Sequence, residues 1–252
     1  MSDDLPITLH ASAEETTSGS GTAVDLHSTD GVELRRLARL QLIVSALSGT
    51  APTLNVAIET SPDNATWRQL DSFSQQTAVG IAELKTGDLD RYVRCSWAIG
   101  GSDNPTVTFA LTGIALATFC TLAELETHGS GGSKLATIAK ATRVDKLVAA
   151  TLTARSYLLK RFQPPLIRVG GDITEAVAKL ASLQIFTDRG VNPSPESTAL
   201  VLDEARNRER WLQRVGSGLA AAEVVDSTPE TREGVGAVSA EETRGWGSMV
   251  VR

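Results

Sequence analysis

Apolar and polar residues alternate through the first half of this chain and recur at helical spacing through the second. In Leu54–Glu59, Leu54, Val56 and Ile58 alternate with Asn55, Ala57 and Glu59, the period of a half-buried strand. Val93, Cys95, Trp97 and Ile99 form one face of the next such run, with Tyr92, Arg94 and Ser96 on the other. A third run carries the pattern through Val107, Phe109 and Leu111. Further strands are expected at 7–10, 22–27, 37–47, 67–73 and 79–84.

Turn chemistry separates these runs. Ser18–Gly21, Asp30-Gly31, Ser48–Pro52, Ser61–Asn64 and Gly100–Pro105 are rich in residues that preset or tolerate reversing dihedrals. Roughly eight short strands with no helical run among them predict an antiparallel β-sandwich, with a jelly-roll-like arrangement as the main variant.

From Thr121 the period changes. Thr121 and Glu124 stand three apart as a capping box, and Gly129 closes a short helix. Ser130-Gly131-Gly132-Ser133 reads as a flexible connection, and Gly132-Ser133-Lys134 lacks the Gly-Lys-Ser/Thr ending of a phosphate loop. A long helix is expected around 143–162, with Val144, Leu147, Leu152, Leu158 and Phe162 in its apolar stripe, stopped by Pro164-Pro165. Two more are expected at 173–187 and 197–215, the last with Ala205, Trp211 and Leu212 inward and Arg206–Arg210 outward. The expected organisation is a β-sandwich over 1–118, a small helical bundle over 119–216 and an extended C-terminal arm over 217–252.

Charge divides where the period does. The formal charge of −6 is the balance of seven basic against fourteen acidic residues in 1–118, fourteen against ten in 119–216, and three against six in 217–252. A basic helical part beside an acidic sandwich suits an assembly whose faces meet different neighbours. No window approaches the ~18 apolar residues of a membrane span, and the start MSDDLP lacks signal-peptide character, so a soluble protein made in a cytoplasm is expected. Cys95 and Cys120 are expected to be small buried hydrophobes.

Candidate chemistry is sparse. His10, His27 and His128 are scattered without neighbours at metal-ligand spacing, and His10 and His27 are expected on strand surfaces. Asp63-Asn64 and Asp88–Asp90 read as turn acids, with ion binding as the sharper alternative. No catalytic set, cofactor site or metal site is expected, and the chain is not read as an enzyme. Arg206, Arg210 and Arg214 are partner-binding candidates, a face for an acidic neighbour or for the wall of a DNA channel, the plain alternative being a solvated helix face.

The stretch Cys120–Val215 resembles tailed-phage head–tail connector (adaptor, head-completion) proteins. The residues that carry the likeness are TLAELETHG, then ARSYLLKRFQPPL, DITEAVAKLASLQIF and a helix with ERWLQRV before a Gly-rich stop. The segments SGTAPTLNVAIETSPDNATWRQLDSF and RYVRCSWAIGGSDNPTVTFALTG resemble β-sandwich modules of phage virion proteins. The resemblance implies a homo-oligomeric ring, commonly of twelve copies, in the head–tail neck of a virion. Its partners would be the portal protein and a tail completion, terminator or tail tube protein, with DNA passing through the lumen without sequence-specific binding. Trp246, Met249, Val250 and Val251 are expected to anchor the arm on a neighbour. The alternative is a capsid- or carbohydrate-binding attachment module.

Overall fold

The computed structural model describes residues 4–27, 35–188 and 195–226. Seven strands form one antiparallel network: β1 (Leu5–Glu15), β2 (Gly19–Ser20), β3 (Val24–Asp25), β4 (Arg35–Ser61), β5 (Arg68–Ser72), β6 (Gly80–Leu89) and β7 (Tyr92–Thr118). β4 and β7 pair from Arg35 opposite Thr118 to Ser61 opposite Tyr92. The two Gly/Pro-rich stretches expected to be turns, 48–52 and 100–105, therefore lie inside paired strands. They reverse both chains together, as one bend in which each stretch lies opposite the other and the two strands stay paired around it. Gly49, Ala51, Gly101, Asp103 and Asn104 all take positive φ there, and the register slips twice between Ser48 and Thr53. A Cβ on Gly49 would come within 2.9 Å of the Pro105 Cα, so the close approach of the strands requires glycine.

The bend folds the ladder over on itself. Trp97 and Phe109 are twelve positions apart on β7, about 40 Å along a straight strand, yet their ring centroids lie 5.6 Å apart. One layer is β6, β4 residues 35–48, β7 residues 106–118 and β1; the other is β5, β4 residues 53–61, β7 residues 92–100, β2 and β3. Leu40, Leu42 and Val44 from one layer and Leu54, Val56 and Ile58 from the other are buried in one apolar cluster. The alternation that predicts each strand is what sends these side chains to the same interior.

His10 departs from its expected place on a strand surface. Register slips on both sides of it in β1 turn the ring inward. It stacks on Phe109 at 4.1 Å, meets Trp97 edge-on at 4.8 Å, and reaches the Phe109 carbonyl through Nδ1 at 3.2 Å and the Glu15 carboxylate through Nε2 at 3.1 Å.

The strands stop at Thr118, and helices follow: α1 (Leu122–His128), α2 (Ser133–Ala136), α3 (Lys140–Leu158), α4 (Gly171–Asp188) and α5 (Pro195–Gly216). The Thr121–Glu124 capping box forms as expected. α3, α4 and α5 pack on one another around Leu147, Leu158, Ile173, Val177, Ala205 and Leu212. Three expectations fail here. The segment 130–133 is packed rather than loose: the Ser130 hydroxyl donates to Glu204 at 2.7 Å, and Gly131, at φ 113°, lies under the Phe186 ring. Leu152, expected in the α3 stripe, points outward and is 58% exposed. Residues 217–226, the first ten of the expected arm, return along the helices, bury part of Ala220, Ala222 and Val224, and form strand β9 (Val224–Asp226) against β8 (Leu166–Val169). Both strands are too short to show a period, and their pairing spans more than fifty residues.

The sandwich and the helices share one interface. Leu37 and Ala117 belong to the helical core cluster, together with Phe119 and Cys120. Around that apolar contact, Arg35 pairs with Glu124 at 2.9 Å, Lys85 and Arg39 both reach Asp145 at 2.9 and 3.0 Å, and Lys140 reaches Asp71 at 2.7 Å. Asp88, at the end of β6, accepts the Leu122 N–H at 2.7 Å. Burial raises its carboxyl above the usual aspartate range, against the lowering effect of the α1 N–H groups.

Candidate interaction surfaces

Helix α5 is built so that its inward charges are matched and its outward charges are not. Ala205, Leu212 and Val215 bury one side. Flanking them, Glu204 accepts from Lys179 at 2.8 Å and from Ser130, Arg208 pairs with Glu175 of α4, and Glu209 accepts from the Tyr157 hydroxyl at 3.0 Å. The Lys179 and Ser130 bonds hold the Glu204 carboxyl below the ordinary range. The expectation that all of Arg206–Arg210 faces solvent is thus corrected: Arg208 and Glu209 turn to α4 and α3, which sit on either side of the buried stripe. Arg206, Arg210 and Arg214 do face outward, exposed, at intervals of four residues, a rise of ~6 Å each. Among the described residues none of the three makes an ion pair.

Sequence reasoning did not single out the surface beside them. Tyr157 is the seam between α3 and α5, since Gln213 also reaches its hydroxyl at 3.3 Å and the Gly216 Cβ position would meet its carbonyl. Lys160 lies over the Tyr157 ring at 5.1 Å, and Arg161 donates to the Ala220 carbonyl at 3.1 Å. Leu159 and Leu219 are 41% and 72% exposed there. The signal was present in SYLLKRF, where consecutive leucines cannot both face the core of one helix.

Two clefts open on the sandwich. A cleft of about 480 Å³ lies between β1 and the β2–β3 segment, lined by Leu9, His10, Ser20, Thr22, Val24 and Trp97 among others. A groove of about 340 Å³ crosses the outer face of the second layer, where Ala57, Ser96 and Ala98 sit with Asn55, Gln69 and Ser72. Beside it Arg94 lies over the Trp67 ring at 4.1 Å while bonding Glu59 at 2.7 Å. Neither was legible beforehand, because the groove residues come from three strands and meet only in the sheet.

The turn acids serve the protein itself. The Asp63 carboxylate accepts the N–H groups of Thr66 and Ala65 at 2.8 and 2.9 Å, which lower its pKa to about 2, and Asp90 pairs with Arg68. The His27 N–H donates to Asp25, and His128 is exposed in the last turn of α1. Among the described residues no group of three or more His, Cys, Asp and Glu is placed to hold a metal ion, and no helix is long and apolar enough to cross a membrane. Trp246, Met249, Val250 and Val251 lie outside the described residues.

No protein-family model matches this sequence. No curated protein matches it. Among solved structures it is similar to a family 29 carbohydrate-binding module from Piromyces equi, at 9% identity and a TM-score of 0.25, over 44% of this chain and 90% of that one.

Proposed function

We propose that this chain is a structural protein of a tailed-phage virion, a head-to-tail adaptor that forms a ring between the portal and the tail. In this reading a jelly-roll-like sandwich, a helical bundle and a C-terminal arm make up each subunit. The observation that carries it is the division of labour on the surface. The charges between sandwich and helices are matched with one another, while α5 keeps an outward row of three exposed arginines beside exposed leucines. A subunit of a closed ring needs unlike surfaces that meet heterologously, and an unmatched basic and apolar face is such a surface. The likeness of residues 120–215 to connector proteins supports the same reading. Portal and tail completion, terminator or tube proteins would be the neighbours, commonly in twelvefold symmetry, with DNA passing through the lumen. Negative-stain microscopy of the protein mixed with its portal tests this: added ring density at the portal is expected, and a protein that never joins a ring overturns the reading. A monomer in isolation agrees with it, since ring formation can await the portal.

The groove on the outer sheet favours a second reading, a module that attaches to a capsid surface or a carbohydrate. Its amide and hydroxyl side chains suit neutral polar ligands. Glycan-array binding by the whole chain, lost in N55A/Q69A, supports it; a blank array counts against the carbohydrate form.

A further inference from the structure

The first layer of the sandwich has two edge strands, β1 and β6, and they are finished differently. β1 carries Pro6 and two register slips around His10, features that keep a further strand from adding to an edge. β6 has neither over Gly80–Leu84, where it runs without a slip along Leu40–Val44 of β4. Its single slip lies at the far end, between Thr86 and Leu89. Among the described residues β6 pairs with β4 alone, so its other edge carries no strand.

The side chains along that edge do not guard it either. Ser72–Ala82 is a run of eleven residues without a charge. Val79 and Ile81 are 60% and 65% exposed, and a Cβ on Gly80 would meet nothing within 4 Å. Ile81 lies opposite Ile43 on the outer face, because Leu40, Leu42 and Val44 point into the core, and Ala110 follows on β7. Soluble proteins blunt free edges with charge, proline or bulges, and an edge that lacks them is a template for another strand.

What adds there must be extended, uncharged over about five residues and apolar at alternate positions. Among the described strands β1 is closed by Pro6 and its slips, β5 carries Arg68 and Asp71 within five residues, and β8 and β9 run for four and three residues with Arg168 and Asp226 in them. β6 itself meets the requirement, so the matching strand is β6 of a second copy. The open stretch also sets the register. Lys85 is held by Asp145 of α3, Thr86 is buried, and a Cβ on Gly87 would come within 2.7 Å of the Leu122 side chain. The edge is therefore open over Val79–Glu83, whose middle residue is Ile81.

We infer that two copies of this chain pair antiparallel through β6 about a two-fold axis at Ile81. Ile81 then lies opposite its counterpart, Gly80 opposite Ala82, and Val79 opposite Glu83. The strip Ala110–Ile43–Ile81 runs on across the axis into the same strip of the second copy, and the Ile81 pair supplies the cross-strand contact. The two Glu83 carboxylates stand four residues apart along the ladder, about 13 Å, beyond the screening length of physiological salt. The arrangement is isologous and closes at two copies. It goes beyond the adaptor reading and does not rest on it: the face invoked there is on α5, so the failure of either leaves the other standing.

Cysteine cross-linking of the full chain tests pairing and register together, because Cys95 and Cys120 are buried and keep the background low. Opposite residues of antiparallel strands have Cα atoms about 4.5 to 5.5 Å apart, within the reach of a disulfide. Under mild oxidation I81C is expected to form a disulfide-linked dimer at least tenfold faster than L219C, a position equally exposed on the helical half. V79C and E83C should each stay unlinked alone and link when mixed. Sedimentation of the unaltered chain at about 100 μM should show a dimer, and I81K, checked for its fold by circular dichroism, should weaken that dimer at least tenfold. A monomer at that concentration overturns the inference, as does I81C that links no faster than L219C. V79C that links faster alone than with E83C overturns the two-fold axis at Ile81. A folded I81K that still dimerises places the contact on another surface and overturns it too. Slow hydrogen exchange of the Gly80–Glu83 amides that does not change with protein concentration overturns it in favour of a strand from the same chain.

Discussion

The Asp88 carboxylate accepts the N–H of Leu122 at 2.7 Å, so the end of a strand in the sandwich supplies a cap to the first helix. The contact joins the two halves where the Thr121–Glu124 box already satisfies other N–H groups of the same helix turn. It also asks a half-buried carboxylate to stay charged.

Replacing Asp88 should separate these two effects. D88A removes the acceptor and is expected to cost ~1 kcal/mol, the usual worth of a helix cap. D88N keeps an acceptor oxygen and removes the buried charge, so it should cost less than D88A. Urea denaturation of both variants near pH 7 measures the difference, and equal losses would show that the charge itself matters.

Glu124 and Asp88 have opposite pH signatures. Burial alone would raise the Glu124 carboxyl, but Arg35 and the Thr121 N–H outweigh it and hold it below the ordinary value of 4.5. A depressed acid stabilises the fold above its unfolded pKa and loses that contribution as pH falls through the folded one. Asp88 is raised, so its charge opposes folding at neutral pH and the penalty fades as pH falls toward the ordinary aspartate range. E124Q should therefore flatten the loss of stability on the acid side, and D88N should steepen the net loss by removing the opposing gain. Thermal melts across about pH 3 to pH 7 read both slopes.

The glycines after α1 should respond unequally to alanine. Gly131 has φ 113° and a Cβ there would come within 2.5 Å of the Phe186 ring, whereas Gly132 has φ 49° with nothing within 4 Å. Gly132 also has ψ −127°, outside the left-handed helical basin, so G132A meets a backbone cost of about 2 kcal/mol without a steric contact. G131A adds a clash with the Phe186 ring to a backbone cost of the same kind, and is expected to cost at least ~3 kcal/mol. Similar melting temperatures for the two variants would contradict the packing of Gly131 under Phe186.

Both thiols should be inert while the protein is folded. Cys95 donates to the Leu9 carbonyl at 3.3 Å and burial pushes its pKa up to about 11, and burial raises Cys120 as well. A thiol-reactive dye at about pH 8 is expected to label neither in the native state and both in denaturant. Rapid labelling of the native protein would mean that one of the two cores opens.

The longer strands, the longer helices and most of the core were legible because each depends on a local period, whereas β2, α2, β8 and β9 are too short to show one. Val56, Cys95 and Phe109 alternate with polar neighbours, and alternation sends them to one face whatever that face packs against. Thr121 and Glu124 likewise lie three residues apart, within the reach of one helical turn. His10 was misread because a register slip belongs to the pairing of two strands and leaves no mark in either one alone. Leu152 was misread because a helical stripe shows which residues share a side without showing how wide the covered side is.

The candidate surface divides in the same way. The arginine spacing on α5 comes from the sequence alone, since residues four apart share a helix face. Which charges are matched was decided by α3 and α4, which took Arg208 and Glu209 and left Arg206, Arg210 and Arg214 outward. The bend at Gly49 and Gly101 is a further case: the sequence marked both positions as places where the chain can turn, and only the pairing of β4 with β7 made them one fold of a ladder. By itself this sequence determined periods, caps and the location of flexible dihedrals, which are properties of neighbours along the chain. Tertiary structure decided register, layer and exposure, because these depend on distant segments meeting.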